Sequence, residues 1–382
     1  MMCKQLFETI DELNEQYLNM LEDVCNIESP TDFKEGVDAV GEYIQTVAKK
    51  HNWKIDVLKQ EISGDVVSIT LNHNAEGEPV SVSGHMDTVH PVGLFGTPAV
   101  KRDANNMYGP GVMDCKGGIV AALLAMDALE KCGFTSRPVH LFLQSDEENG
   151  SATSDKKTIE YICNKAEKSV AFLNLEGIQG NTAVLERKGI IRYCFTVHGR
   201  AIHSASCING ANAVLEAAHK IIELEKMKDA DGVTCNCGVI KGGTTANTVA
   251  DKCVFYADIR FANQKQLEKV KNEVLKIANK TVVDGCTCEL KQVSYRPAMQ
   301  FSDKNTELLN KINKIYNDNG LPVLTARLCL SGSDAAYVTE AGIPCVDSLG
   351  TDGGKIHSVN EFMRLNSLAE SAKRIAAIIY CI

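Results

Sequence analysis

A block of about 105 residues in the middle of the chain reads strand, helix, strand, strand, helix, strand, over 190–198, 211–226, 233–240, 252–261, 264–280 and 286–293, the βαββαβ order of a ferredoxin-like sandwich. Such a unit completes its own sheet. The segments on either side must therefore build a second body, with the sandwich inserted into it.

The flanking segments carry their own periodicity. Leu6, Ile10, Leu13, Tyr17, Met20, Leu21 and Val24 recur at three- and four-residue steps, which predicts an amphipathic helix over 4–27. A second helix is expected over 33–50, then β-rich runs at 54–58, 66–71 and 80–84, an Ala-rich helix at 117–131 and a buried strand at 139–144. Past Pro297 come a helical stretch at 305–319, strand-like segments around Leu324, Val346 and Leu349, and a closing helix from Leu365. Strands alternating with helices predict an α/β fold with a mixed sheet. The expected division is an α/β domain of residues 1–188 and 298–382, and an inserted α+β domain of residues 189–297.

Composition narrows the partners. Forty Lys and Arg against 49 Asp and Glu give a net charge of −9, which argues against the basic footprint of a nucleic-acid binder. The longest apolar stretch, 117–129, is too short and Ala-rich to span a bilayer, so no membrane partner is expected. The N-terminus is acidic and amphipathic and lacks a secretory signal. Fifteen cysteines scattered through apolar or helical stretches suit free thiols in a reducing compartment better than a disulfide framework. A cytoplasmic protein is expected.

The chemistry gathers at strand ends. Ser83-Gly84-His85-Met86-Asp87 follows a buried strand, and Asp87 there is placed to accept a hydrogen bond from the second ring nitrogen of His85, as metal-ligating histidines commonly require. Taken alone, such a pair is more often an ordinary surface or core contact. Asp114, in Tyr108-Gly109-Pro110-Gly111-Val112-Met113-Asp114, stands where a helix cap would also explain it. This Gly-rich segment has Asp where a dinucleotide fingerprint needs its third glycine, and residues 350–355 lack the Ser or Thr of a phosphate loop. Nucleotide binding is a poor reading of both.

Consecutive acids in Ser145-Asp146-Glu147-Glu148 repel one another unless a cation or solvent compensates. Glu176 again follows a strand, and His357 lies in a glycine-rich loop. Together His85, Asp114, Glu147, Glu148, Glu176 and His357 supply two imidazoles and four carboxylates, enough for two divalent metals about 3.5–4 Å apart with one acid left over as a base. In open α/β sheets such groups converge at the carboxyl ends of the strands.

The runs SGHMDTV, YGPGVMDCKGG, DEENGS, GSDAAY and H-S-x-N-E resemble those of the co-catalytic zinc metallopeptidases. That family includes glutamate carboxypeptidase, acetylornithine deacetylase, succinyl-diaminopimelate desuccinylase, aminoacylase and the aminotripeptidases. The resemblance extends from about residue 8 onward and is nearest to the glutamate carboxypeptidase branch through MYGPG, RPAM and SGSDAAYVTEAGIP. It implies a mixed-sheet zinc-exopeptidase catalytic domain of phosphorylase/hydrolase-like fold, with the ferredoxin-like insert as lid and dimerisation surface.

The resemblance also implies roles. His85 and Glu176 would bind one Zn2+, Glu148 and His357 a second, and Asp114 both, with Co2+ or Mn2+ as substitutes. Asp87 would orient His85. Glu147 would be the general base that takes a proton from the metal-bridging water. His203, in Gly199-Arg200-Ala201-Ile202-His203, would stabilise the oxyanion in its own or the partner subunit. Asn247 and Arg260 would bind the substrate's carboxylate, and Gly332 would line the substrate site. Two departures stand out: Asn247-Thr248-Val249-Ala250 lacks the family's proline, and Ser331 replaces the first glycine of a Gly-Gly-Thr-Asp run.

The expected activity is hydrolysis of an amide bond beside a free carboxylate, on a small peptide or N-acyl amino acid, by a homodimer. An N-acyl amino acid deacylase or desuccinylase is the alternative within the same chemistry. A non-catalytic metal-binding relative is the alternative outside it.

Overall fold

The structure is a computed structural model, and it describes residues 3–382. The chain divides into two compact units. One holds the chain up to Glu186 with Phe301–Leu328 and Ser333–Ile382, and the other holds Arg187–Gln300 with Cys329–Gly332. The second unit thus exceeds the expected 189–297 by a few residues at each end. It also takes a short piece from the GSDAAY region, because Arg187 Nη1 donates to the Ser331 and Gly332 carbonyls and to Ser331 Oγ.

In the first unit, six strands pair in the order Lys54–Leu58, Val66–Leu71, Val139–Gln144, Val80–His85, Ala171–Asn174, Cys345–Val346. The last four run parallel to one another and the first two are antiparallel, so the sheet is mixed. Every residue of Val66–Leu71 and Val80–His85 is buried, which their apolar and small side chains permit. Three parallel strands end toward the same edge, and there the chain enters the segments that carry His85, Glu147, Glu148 and Glu176.

The Ala-rich helix Lys116–Lys131 is buried from Lys116 through Leu129. It packs between the helices Lys4–Asn26 and Asn366–Cys381 and against the strand Val80–His85. Close approach at its first turn depends on glycine. A Cβ at Gly118 would lie 2.6 Å from the Leu175 carbonyl oxygen, and one at Gly84 would lie 2.7 Å from Ile119 Cγ1. These two contacts draw the His85 strand end, the Asp114 loop and the Glu176 loop together.

A small antiparallel sheet supplies the last piece. Gly353–Gly354 pairs with Phe362–Arg364, which pairs with Asn106–Tyr108. That register sets the loop bearing His357 beside the loop bearing Asp114.

The second unit has the antiparallel strand order Thr234–Gly242, Lys252–Phe261, Gly189–His198, Thr287–Arg296, with the helices Ala213–Glu225 and Gln264–Asn279 packed on it. Burial alternates along Gly189–His198 and Lys252–Phe261, as a sheet with one covered face requires. Phe195 and Phe255 stack at 4.6 Å within its core, a pair worth about 0.5–1.5 kcal/mol beyond its burial. Among the described residues, no helix is long and apolar enough to cross a membrane.

Candidate metal centre

Two donor groups meet on one carboxylate. His85, Asp114 and Glu176 offer ligand atoms within 4.8 Å of one another, and so do Asp114, Glu148 and His357. Asp114 turns Oδ1 to His85 Nε2 at 3.1 Å and Oδ2 to His357 Nε2 at 3.1 Å. Glu176 Oε1 lies 3.9 Å from His85 Nε2, and Glu148 Oε2 lies 3.3 Å from His357 Nε2. Two imidazoles and three carboxylates are a nitrogen and oxygen donor set suited to zinc or another divalent transition metal.

The electrostatics fit the same guest. Burial, with repulsion from Asp114 and Glu147, pushes the Glu148 carboxyl up to about 7 despite its bond to His357. Hydrogen bonds to Asp114 and Glu148 raise His357 to about 10. Burial disfavours a charged His85, yet Cys115, Asp114 and Asp87 raise it well above the ordinary imidazole value. Asp114, although buried, is held below the usual carboxylate range by its bonds to the two histidines. Acids crowded in this way call for positive charge, which a divalent cation supplies at higher density than protons do.

Asp87 works differently from the sequence expectation in one respect. His85 Nδ1 lies 2.9 Å from the Asp87 backbone carbonyl and 3.4 Å from its Oδ1, so the closer contact is main chain. The Asp87 carboxylate accepts from the backbone N–H groups of Glu147 at 3.2 Å and Glu148 at 3.1 Å, and from Thr31 Oγ1 at 2.7 Å. It therefore holds the acidic turn in place beside His85.

The acidic run itself separates into distinct roles. Asp146 is fully buried and accepts from Ser154 N–H at 2.9 Å and Thr158 Oγ1 at 2.6 Å, away from the donor groups. Glu148 joins a donor group, while Glu147 is buried beside it and belongs to neither. Cys115 is buried, with Sγ 3.3 Å from the Leu175 carbonyl, which is packing rather than ligation.

In the second unit, His203 and Asn247 are neighbours. His203 pairs with Thr248 in a β-bridge, and Ser204 N–H donates to the Asn247 carbonyl at 2.9 Å. His203 Nδ1 accepts from Ala205 N–H at 3.2 Å, so in the neutral ring Nε2 carries the proton and is a donor. Without the family's proline, the turn is closed by Thr248 N–H to the Thr245 carbonyl at 3.2 Å. Arg260 Nε donates to Asp258 Oδ1 at 2.8 Å, and Asp258 also accepts from Arg192. Gly332 packs over Arg296, whose Cδ would lie 2.6 Å from a Cβ there.

The profile of peptidase family M20/M25/M40 matches residues 81–380, a span that contains every residue of both donor groups. The chain belongs to this family.

The chain is also similar to curated proteins and solved structures. Carboxypeptidase G2 of Pseudomonas sp. (strain RS-16) is 24% identical over 361 residues, covering 92% of this chain and 86% of that protein. Succinyl-diaminopimelate desuccinylase of Rickettsia canadensis is 28% identical over 276 residues, covering 66% of this chain and 70% of that protein. A tripeptidase structure from Staphylococcus aureus superposes with a TM-score of 0.77 at 21% identity, covering 96% of this chain and 98% of its own. An M20 metallo-carboxypeptidase from Sulfolobus solfataricus gives 0.73 at 19% identity, covering 95% and 98%. The mixed α/β fold of the family is therefore that of this chain. As an M20 peptidase the protein is a metal-dependent hydrolase of peptide or other linear amide bonds. Nothing local to Thr31 in the sequence signals its partner at Asp87.

Proposed function

We propose that this M20 peptidase is a dinuclear zinc exopeptidase, of carboxypeptidase or dipeptidase type, that cleaves an amide bond beside a free carboxylate. The observation that carries this reading is the division of Asp114, with one oxygen toward His85 and the other toward His357. His85 and Glu176 would hold one ion, Glu148 and His357 the other, and Asp114 both, with Co2+ or Mn2+ as substitutes. Bound there, zinc supplies Lewis acidity, lowering the pKa of a water toward about 7 and polarising the scissile carbonyl.

The chain's own groups handle protons and charge. Glu147 adjoins the donor Glu148 and falls outside both donor groups, and it would take a proton from the attacking water and pass it to the leaving amine. Asp87 keeps that turn in place through the two amides it accepts. His203 would donate from Nε2 to the oxyanion of the tetrahedral intermediate, in its own or the partner subunit. Arg260, with Nε engaged by Asp258, would offer its terminal nitrogens to the substrate carboxylate together with Asn247, and the Gly332 segment would line the same site.

A second reading within the same chemistry, an N-acyl amino acid deacylase or desuccinylase, is favoured by the Rickettsia relative. The greater coverage by carboxypeptidase G2 favours the first. A release assay separates them, using zinc-loaded protein on dipeptides, tripeptides, N-acetyl and N-succinyl amino acids and folyl-glutamate conjugates. The expected result is release of a C-terminal amino acid, abolished by chelation or by amidation of the terminal carboxylate. Well under one zinc per chain after reconstitution, or cleavage indifferent to amidation, would overturn the reading.

Action in the cytoplasm is supported by the fifteen cysteines, free thiols that suit a reducing compartment. The inserted unit would also form a homodimer. Its edge strand Thr234–Gly242 leaves Val239 and Ile240 exposed, and the helix Ala213–Glu225 leaves Leu215 and Ile222 exposed, apolar side chains that a second copy would cover. Analytical ultracentrifugation at micromolar concentration should give twice the mass of one chain; a monomer across that range would remove the dimer.

A further inference from the structure

Glu361, the acid that ends the His357-Ser358-Val359-Asn360-Glu361 run, is 1% exposed and belongs to neither donor group. Its Oε1 accepts from Met113 N–H at 3.0 Å and from Asp114 N–H at 3.1 Å. Its Oε2 lies 3.1 Å from His90 Nε2. Its backbone is engaged as well: Gly109 N–H donates to the Glu361 carbonyl at 3.3 Å, and Glu361 N–H donates to the Ser358 carbonyl at 3.0 Å.

One side chain therefore joins three segments that hold the donor groups. These are the Gly-rich loop ending at Asp114, the segment that leaves the His85 strand, and the loop that carries His357. Two consecutive amides converging on a single carboxylate oxygen leave the Asp114 peptide little freedom to rotate. Any turn of that peptide would separate at least one buried N–H from its acceptor. Burying a carboxylate is costly unless its hydrogen bonds compensate, and here they are spent on the residue whose two oxygens face both donor groups.

We propose that Glu361 is a positioning residue that fixes the orientation of Asp114, so that one carboxylate serves two metal ions at once. This rests on the dinuclear reading of the site. It acts on the ligand's backbone and makes no metal contact itself, so its removal should affect ion affinity before it affects the fold.

Titration of the metal-free full-length protein with Co2+ tests this, followed by visible absorption and by calorimetry, with the thermal midpoint of each metal-free variant as a control. Glu361→Ala should weaken at least one of two Co2+ sites by about 10–100-fold, the range for outer partners of metal ligands. Glu361→Gln should stay within about threefold of wild type, because its amide oxygen accepts the same two N–H groups. If the alanine variant does not fold, Glu361→Met fills the same space without an acceptor and takes its place. Two sites of wild-type affinity in the Ala or Met variant would overturn the proposal, and so would equal weakening in the Gln variant. Fewer than two Co2+ sites per chain in the wild-type protein would instead overturn the dinuclear reading, and this proposal with it.

Discussion

Glu147→Ala should lose nearly all turnover, by roughly 10²–10⁴-fold in kcat, while keeping its full metal content. The expectation follows from the separation of roles along the acidic turn. Asp146 is turned inward to Ser154 and Thr158, Glu148 sits 3.3 Å from His357 within a donor group, and Glu147 is in neither group. On the proposed roles, removing Glu147 deletes a proton carrier and no member of either donor group. Its backbone bond to Asp87 survives the substitution, so the neighbouring Glu148 should stay in place. Steady-state rates beside metal analysis by atomic absorption check both halves of the statement. Activity within a factor of ten of wild type would refute the role, and loss of metal would reassign Glu147 as a ligand.

Asp114→Ala should have the opposite signature. Each of Asp114's oxygens faces a different histidine, so one substitution takes a donor from both groups. Zinc binding should fall by at least the roughly 10–100-fold seen when mere outer partners of metal ligands are lost, leaving less than one ion per chain and no measurable turnover. Two further consequences make the test specific. The rise in thermal midpoint expected when zinc binds the wild-type protein should be absent in the variant, because an ion that no longer binds the folded state cannot stabilise it. Replacing Glu176 instead should spare the group that contains Glu148 and His357. Equilibrium dialysis reads both variants, and two ions held at wild-type affinity by Asp114→Ala would dismiss the shared carboxylate.

The contrast between these two residues is also where the legibility of the chain changes. The helix Lys4–Asn26 was readable from seven apolar residues at helical spacing, because a helix buries one stripe and the stripe has a period. The order of elements in the inserted unit was readable for the same reason, since alternating burial along Gly189–His198 and Lys252–Phe261 mirrors alternating residue types. The donor residues are legible as acids and histidines at strand ends or in loops, where open α/β sheets gather reactive groups. Their partition was not physical inference from the sequence but an implication of resemblance. Spacing along the chain cannot say which carboxylate stands between two histidines.

Other features lay out of reach for similar reasons. Thr31 donates to Asp87 only because the segment after the first helix pairs with Thr88, a bridge that no local pattern announces. The Cys329–Gly332 piece joins the second unit through the buried Arg187, although neighbouring residues on both sides belong to the first. Arg260 keeps company with Asp258 two residues away on the same strand face, a contact that strand periodicity allows but does not require.

From sequence alone came the two-body organisation, the βαββαβ order and the set of acids and histidines, all of which depend on residue type and short-range period. Tertiary structure decided how those groups share one centre. The decisive contact, His357 against Asp114, is made by the pairing of Phe362–Arg364 with Asn106–Tyr108 and by glycines that let the Ala-rich helix approach the Leu175 backbone. Strand register and close backbone approach are properties of two distant segments together, and neither segment carries them by itself.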